Sequence, residues 1–206
     1  SEDFVIIHLP YAYTSSGIHF HKAFTEKGAI CVASDQGHLF SSYTRLYELL
    51  VNLKAKILVT SNPYLLRSII LYEKNKDIFE LESLRYIFTV GVTLSDRWIW
   101  ESNLRYPVKI LPFYGLSEFG AVGIPCKYGK IHISEDFFVE TYNPNYTDEY
   151  NQSSVGEIII SDLKSTGTPL FRYRTKDVGK IAFQKCLCGC SLPVIDIFCR
   201  LKDLIK

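Results

Sequence analysis

The sequence predicts an α/β fold: a mainly parallel sheet with flanking helices, followed by an antiparallel, distorted barrel-like β subdomain. Three observations predict it. Up to about residue 113, short β-branched runs alternate with segments whose apolar residues recur at helical spacing. From residue 114 the helical spacing stops, and strand-like runs follow one another across polar turns. No internal repeat or low-complexity stretch interrupts either part.

Residues 4–9 read as the first strand, residues 16–27 as a helix and residues 29–33 as the next strand. Residues 42–54 place Tyr43, Leu46, Leu49, Leu50 and Leu53 on one helical face, with Ser41 or Ser42 as the cap. Residues 57–60 form a short buried strand. Pro63 then opens a helix that turns Leu65, Leu66, Ile69, Ile70 and Tyr72 inward. Residues 86–90 are a strand, Ser95 caps a helix that carries Trp98 and Trp100, and residues 108–112 form the last strand of this part. Beyond it, residues 130–133, 137–142 and 155–160 read as strands, with a long polar turn over residues 143–154. A further turn over 164–169 precedes short strands at 170–173 and 181–183.

At 206 residues the chain is one large domain or two small ones, ample for a core. Hydrophobic residues at 47% and charged residues at 22% fit a globular protein; the 14 tyrosines and 13 phenylalanines are read mostly as core. A net charge of +1 leaves no electrostatic footprint for nucleic acid or an anionic membrane. No apolar run approaches the roughly 18 residues that span a bilayer, and no signal peptide opens the chain, so a cytoplasmic location is expected. Methionine is absent and the chain starts almost directly in a strand, which fits a piece of a longer protein.

Two segments carry chemistry. The first is Tyr114-Gly115-Leu116-Ser117-Glu118; the second, sixty residues on, is Tyr173-Arg174-Thr175-Lys176-Asp177. Activating a carboxylic acid with ATP needs a flat surface for adenine, acceptors for the ribose hydroxyls and a carboxylate for magnesium. Tyr114, read as the last residue of a strand, offers the ring, and Gly115 leaves room for close backbone approach. Glu118 offers the magnesium ligand, and Asp177, in a turn, can accept both ribose hydroxyls. The plain alternative is an ordinary strand end beside a solvated glutamate.

Six cysteines are present. Cys31 lies in an apolar strand and reads as core. Cys186, Cys188 and Cys190 alternate, which disfavours pairing among them and, without secretory features, points to metal.

These segments together resemble the adenylate-forming superfamily, and within it the phenylacetate–CoA ligase branch. The resemblance spans essentially the whole chain. Residues 17–29 resemble a glycine- and histidine-bearing helix after the first strand, and His21 matches a histidine near the acyl pocket, where a packed helix histidine is the alternative. Gly91 opens the loop expected against the adenine edge, although Val92 and Thr93 replace its usual Gly and Glu. Tyr114, Gly115, Ser117 and Glu118 match the nucleotide motif. Val155-Gly156-Glu157-Ile158 matches a Gly-Glu strand, and residues 169–177 match the ribose segment, with Lys176 where glycine is common. Residues 199–206 match the hinge to a further domain, with Arg200 near the ribose and Lys202 at the pivot; a solvated basic face of Arg200, Lys202 and Lys206 is the alternative. The domains expected are therefore residues 1–113, residues 114–198 and the hinge at 199–206.

The resemblance implies Glu118, Lys202 and His21 as catalytic residues. It implies a structural zinc held by Cys126, His132, Cys186 and Cys188, with Cys190 a possible competitor for Cys186 and a set of reduced thiols as the alternative. The cofactors implied are ATP or AMP, Mg2+ and Zn2+. The partners implied are an aryl or acyl carboxylic acid and coenzyme A or a carrier-protein pantetheine; the oligomeric state stays open, a homodimer included. The family's phosphate loop and its lysine-bearing lid find no match here, so the chain is expected to be part of an acid–CoA ligase and inactive alone. The rival is a non-catalytic nucleotide-binding or zinc-stabilised interaction module, towards which Val92, Thr93, Lys176 and Cys190 lean. A second rival is an acyl-transfer partner completed by another chain.

Overall fold

The computed structural model describes residues 3–12, 14–36, 42–75, 81–91, 94–143 and 155–204. The chain divides into two compact units, Ser1–Pro112 and Phe113–Lys206. No described helix is long and apolar enough to cross a membrane.

The first unit is a parallel sheet with helices. Its strands are β1 (Phe4–His8), β2 (Ile30–Ala33), β3 (Ile57–Ser61), β4 (Tyr86–Val90) and β5 (Lys109–Pro112), in the order β2-β1-β3-β4-β5. Ile6, Leu58, Ile87 and Ile110 stand in register across it, one apolar row on one face. Leu46, Tyr47 and Leu50 of α2 (Tyr43–Asn52) and Leu65 of α3 (Asn62–Asn75) complete that core. The seryl caps form as read: Ser42 accepts from the Arg45 N–H, and Ser95 accepts from the Trp98 N–H at the start of α4 (Asp96–Arg105), both at 3.2 Å.

Some side chains differ from expectation. Leu66 is exposed, because α3 turns only one face to the sheet; the side chain of Ile70 lies outside the described residues. Trp98 packs against the core, whereas Trp100, two residues on, projects into solvent. Val92, Thr93 and residues 144–154 of the long turn also lie outside the described residues.

The second unit is a seven-stranded sheet in which every pairing is antiparallel. Its strands are β6 (Tyr114–Leu116), β7 (Gly120–Pro125), β8 (Ile131–Ile133), β9 (Phe137–Tyr142), β10 (Gly156–Asp162), β11 (Tyr173–Ala182) and β12 (Val194–Arg200). They run in the order β6-β7-β8-β12-β11-β10-β9. Val122, Ile133, Val139, Ile158, Ile160, Ile181 and Ile195 bury the inner face together with Tyr114.

Two readings are corrected here. Tyr114 does not end the preceding strand; it begins β6 and pairs with Gly123 of β7. Asp177 is not in a turn but inside β11, a single ten-residue strand in place of two short ones. Residues 199 and 200 complete β12, and Leu201–Asp203 follow it as a single 3-10 turn.

Candidate nucleotide site and metal centre

β11 is continuous but bent. Its register against β10 shifts between Glu157 and Ile159, so that residues 175–177 bulge. Lys176 takes a left-handed φ of 61°, the physical reason glycine suits this position. The buried Glu157 holds the bulge, accepting from the Lys176 N–H at 3.1 Å and from Arg174 Nε at 3.0 Å. Thr175 Oγ1 donates to the Ile158 carbonyl at 2.8 Å and accepts from the Asp177 N–H at 3.0 Å.

This scaffold aims Asp177 between two partners. Tyr114 donates its hydroxyl to Asp177 Oδ2 at 2.9 Å, and Arg200 Nε meets Asp177 Oδ1 at 2.8 Å. The arginine is there because β12 pairs with β11 so that Arg200 stands directly opposite Asp177. It also donates to the Thr175 carbonyl at 3.2 Å. Asp177 is 5% exposed. Burial pushes its carboxyl up from the ordinary aspartate value, against the pull of the Tyr114 hydroxyl and the Arg200 charge. Burial likewise raises the Tyr114 hydroxyl, followed by the nearby Asp177 charge, so this donor keeps its proton. Each carboxylate oxygen carries two lone pairs, which leaves acceptor capacity for a diol after both partners are served.

Tyr114 is 8% exposed and belongs to the sheet core. Its hydroxyl positions Asp177, a task the sequence reading did not give it. The space beside Gly115 is taken by the chain itself: a Cβ there would lie 2.5 Å from the Gly120 carbonyl oxygen. That glycine serves the β6–β7 hairpin.

Glu118 lies in the exposed turn between β6 and β7 with Ser117. Tyr173 donates its hydroxyl to Glu118 Oε1 at 2.6 Å, which holds the carboxyl below the ordinary glutamate range. Its own backbone N–H and, last, the Arg200 charge lower it further, while its exposure leaves the second oxygen, Oε2, open to solvent. Lys202 is exposed in the 3-10 turn, and Lys206 lies outside the described residues.

Two candidate residues sit in the first unit. Gly91 follows β4 with φ 106° and is exposed. His21, on α1 (Ser16–Glu26), has its Nδ1 3.0 Å from the Tyr11 hydroxyl, with the two rings edge to face. Burial raises that hydroxyl to about 12, helped by Cys31 and Asp35.

The four zinc candidates converge. The ligand atoms of Cys126, His132, Cys186 and Cys188 all lie within 4.8 Å of one another. Cys126 Sγ is 3.9 Å from Cys186 Sγ, and Cys188 Sγ is 3.4 Å from His132 Nε2. Ligands at zinc bond lengths and tetrahedral angles stand about 3.8 Å apart for two sulfurs and about 3.6 Å for sulfur and nitrogen. His132 Nδ1 donates to the Leu192 carbonyl at 2.9 Å, which leaves the Nε2 lone pair to face the sulfurs. Cys186 and Cys188 are brought together by a turn: Gly189 takes φ 88°, and its N–H donates to the Cys186 carbonyl. Cys190 stands outside the cluster, and its backbone N–H donates to Cys188 Sγ at 3.3 Å. The residues present fit a closed tetrahedral metal site.

Comparison with known proteins adds three kinds of finding. No family model matches the chain. The phenylacetate-coenzyme A ligase of Aromatoleum evansii is 22% identical over 187 residues, which are 85% of this chain and 41% of that protein. The phenylacetate-coenzyme A ligase of Thermus thermophilus is 33% identical over 88 residues, 40% of this chain and 20% of that protein. The chain thus spans less than half the length of the curated relatives it matches. Among solved structures, a 2-hydroxyisobutyryl-CoA ligase in complex with its acyl-AMP and CoA superposes with a TM-score of 0.86 at 15% identity, over all of this chain and 50% of its own. The amide bond synthetase of Marinactinospora thermotolerans gives 0.70 at 14% identity, over 98% of this chain and 42% of its own. The five-stranded parallel sheet and the seven-stranded antiparallel sheet agree with these solved structures, and the chain shares their fold.

Proposed function

We propose that this chain is the nucleotide-handling part of an ATP-dependent acid–thiol ligase of the phenylacetate–CoA ligase type. The observation that carries the reading is the clamp on Asp177: a buried carboxylate fixed by Tyr114 and Arg200, each from a motif-bearing segment of its own.

In the reaction proposed, an acid's carboxylate attacks the α-phosphorus of ATP. The P–O bond to the leaving pyrophosphate breaks and acyl-AMP forms. A thiol, from coenzyme A or a carrier-bound pantetheine, then displaces AMP to give the thioester. Asp177 accepts the ribose hydroxyls, and Arg200 holds that carboxylate in its charged form. Glu118 would hold magnesium, which when bound supplies positive charge to offset the phosphates. Ser117 is assigned to the nucleotide and Gly115 to the β6–β7 hairpin that carries the motif; Gly91, in the first unit, is assigned to nucleotide contact by resemblance alone. Lys202 is assigned to the pivot between half-reactions and His21 to the acyl side. Residues 199–206 are assigned to the hinge. Cys126, His132, Cys186 and Cys188 would hold a structural zinc with no open position. A cytoplasmic location fits this chemistry, since ATP and coenzyme A are supplied there.

The test is a calorimetric titration of the chain with AMP. Measurable binding that Asp177→Ala abolishes is expected. A second reading, a zinc-stabilised interaction module that ignores nucleotides, is favoured by the near-complete burial of Asp177. Absence of AMP binding in a folded, metal-loaded chain would establish that reading instead.

A further inference from the structure

We propose that Tyr173 is a positioning residue for the cation, presetting the carboxylate of Glu118 through its hydroxyl. The proposal rests on the reading of Glu118 as the magnesium ligand.

Glu118 is exposed on a three-residue turn, where a glutamate samples several rotamers and presents no fixed oxygen. A cation must then order that side chain on binding, and affinity falls by the cost of doing so. Tyr173 removes this disadvantage. Its hydroxyl donates to Oε1 at 2.6 Å, the short distance of a charge-assisted bond. The donor is itself fixed. Phe119, the residue after Glu118, meets the Tyr173 ring edge to face at 5.4 Å and 78°. Phe119 in turn meets Phe137 of β9 edge to face at 5.8 Å and 85°. The Tyr173 backbone is paired with Ile160, and the neighbouring Arg172 N–H donates to Ser161 Oγ at 3.0 Å. The turn and the strand therefore grip each other twice, ring against ring and hydroxyl against carboxylate. With Oε1 occupied by a donor, Oε2 is the oxygen presented to a cation.

Tyr173→Phe removes the hydroxyl and keeps the ring against Phe119. The experiment measures Mn2+, as a probe for Mg2+, by the protein-dependent enhancement of water-proton relaxation in the presence of ATP. It compares the full chain with Tyr173→Phe and Glu118→Gln, and AMP affinity without metal is measured for each. Tyr173→Phe is expected to weaken Mn2+ about tenfold, the scale of one hydrogen bond to a charged group, with AMP affinity unchanged. Glu118→Gln is expected to lose the enhancement.

If Tyr173→Phe matches the wild type while Glu118→Gln loses Mn2+, Tyr173 positions nothing and the magnesium reading of Glu118 survives. If Tyr173→Phe weakens AMP and Mn2+ alike, the residue is merely structural and the proposal is overturned. If Glu118→Gln matches the wild type, or the wild type shows no enhancement, the magnesium reading fails and the proposal falls with it.

Discussion

Acid should loosen the first unit through a single histidine. His8 closes β1 at 1% exposure, with Nδ1 3.2 Å from Ser34 Oγ and its ring edge-on to Tyr64 at 5.6 Å. Burial lowers its pKa from 6.5 to about 4, and the nearby Asp35 charge offsets only part of that. Above pH 6.5 neither the folded nor the unfolded chain protonates this ring, and stability is flat. Below 6.5 the unfolded chain takes the proton while the folded one refuses it until about pH 4, so stability falls across that window. Two and a half pH units at about 1.4 kcal/mol each come to about 3.5 kcal/mol, a large share of the roughly 5–15 kcal/mol that holds a domain folded. Urea unfolding followed by circular dichroism at pH 7, 6, 5 and 4.5 measures the slope. His8→Gln, neutral throughout, should flatten it by that amount whatever its effect at pH 7. Equal slopes for the wild type and His8→Gln, or a His8 pKa near 6.5 by NMR, would refute the reasoning.

Three further outcomes are expected. Tyr114→Phe removes a buried donor from the Asp177 carboxylate and should destabilise the second unit by about 1.5–3 kcal/mol, read from the urea midpoint, while weakening AMP. Gly115→Ala drives a methyl group against the Gly120 carbonyl and should cost about 1–3 kcal/mol, with both strands of the hairpin losing amide protection in hydrogen exchange. The chain should carry one zinc by elemental analysis, with X-ray absorption giving three sulfur ligands and one nitrogen; Cys188→Ser should lose the metal, and Cys190→Ser should keep it.

Much of the first unit was legible because its strands are β-branched runs and its helices carry serine caps. Val5-Ile6-Ile7 and Ile57-Leu58-Val59 can hardly be anything else. The second unit hid more. β7 reads Gly-Ala-Val-Gly-Ile-Pro, too rich in glycine and proline to declare a strand, and it forms because its neighbours lend it a ladder. β11 hid behind the polar Arg174-Thr175-Lys176-Asp177, which bulges without leaving the sheet. The meeting of the four metal candidates was legible only through resemblance, since Cys126 and Cys186 are sixty residues apart. Tyr173 has no task legible from its motif. The only signal was a phenol two residues before a threonine-led bulge, and nothing in the sequence says that its hydroxyl reaches back to Glu118.

The hairpin of β11 and β12 is anchored at both ends by different chemistry. Its loop carries Cys186 and Cys188, and its open end carries Asp177 facing Arg200. A slip of one residue between these strands would swing the guanidinium to the opposite side of the sheet and strand the carboxylate. With a metal bound, the cysteine–histidine cluster would act as a distant lock on alignment, and its removal would be felt at Asp177, nine residues before Cys186.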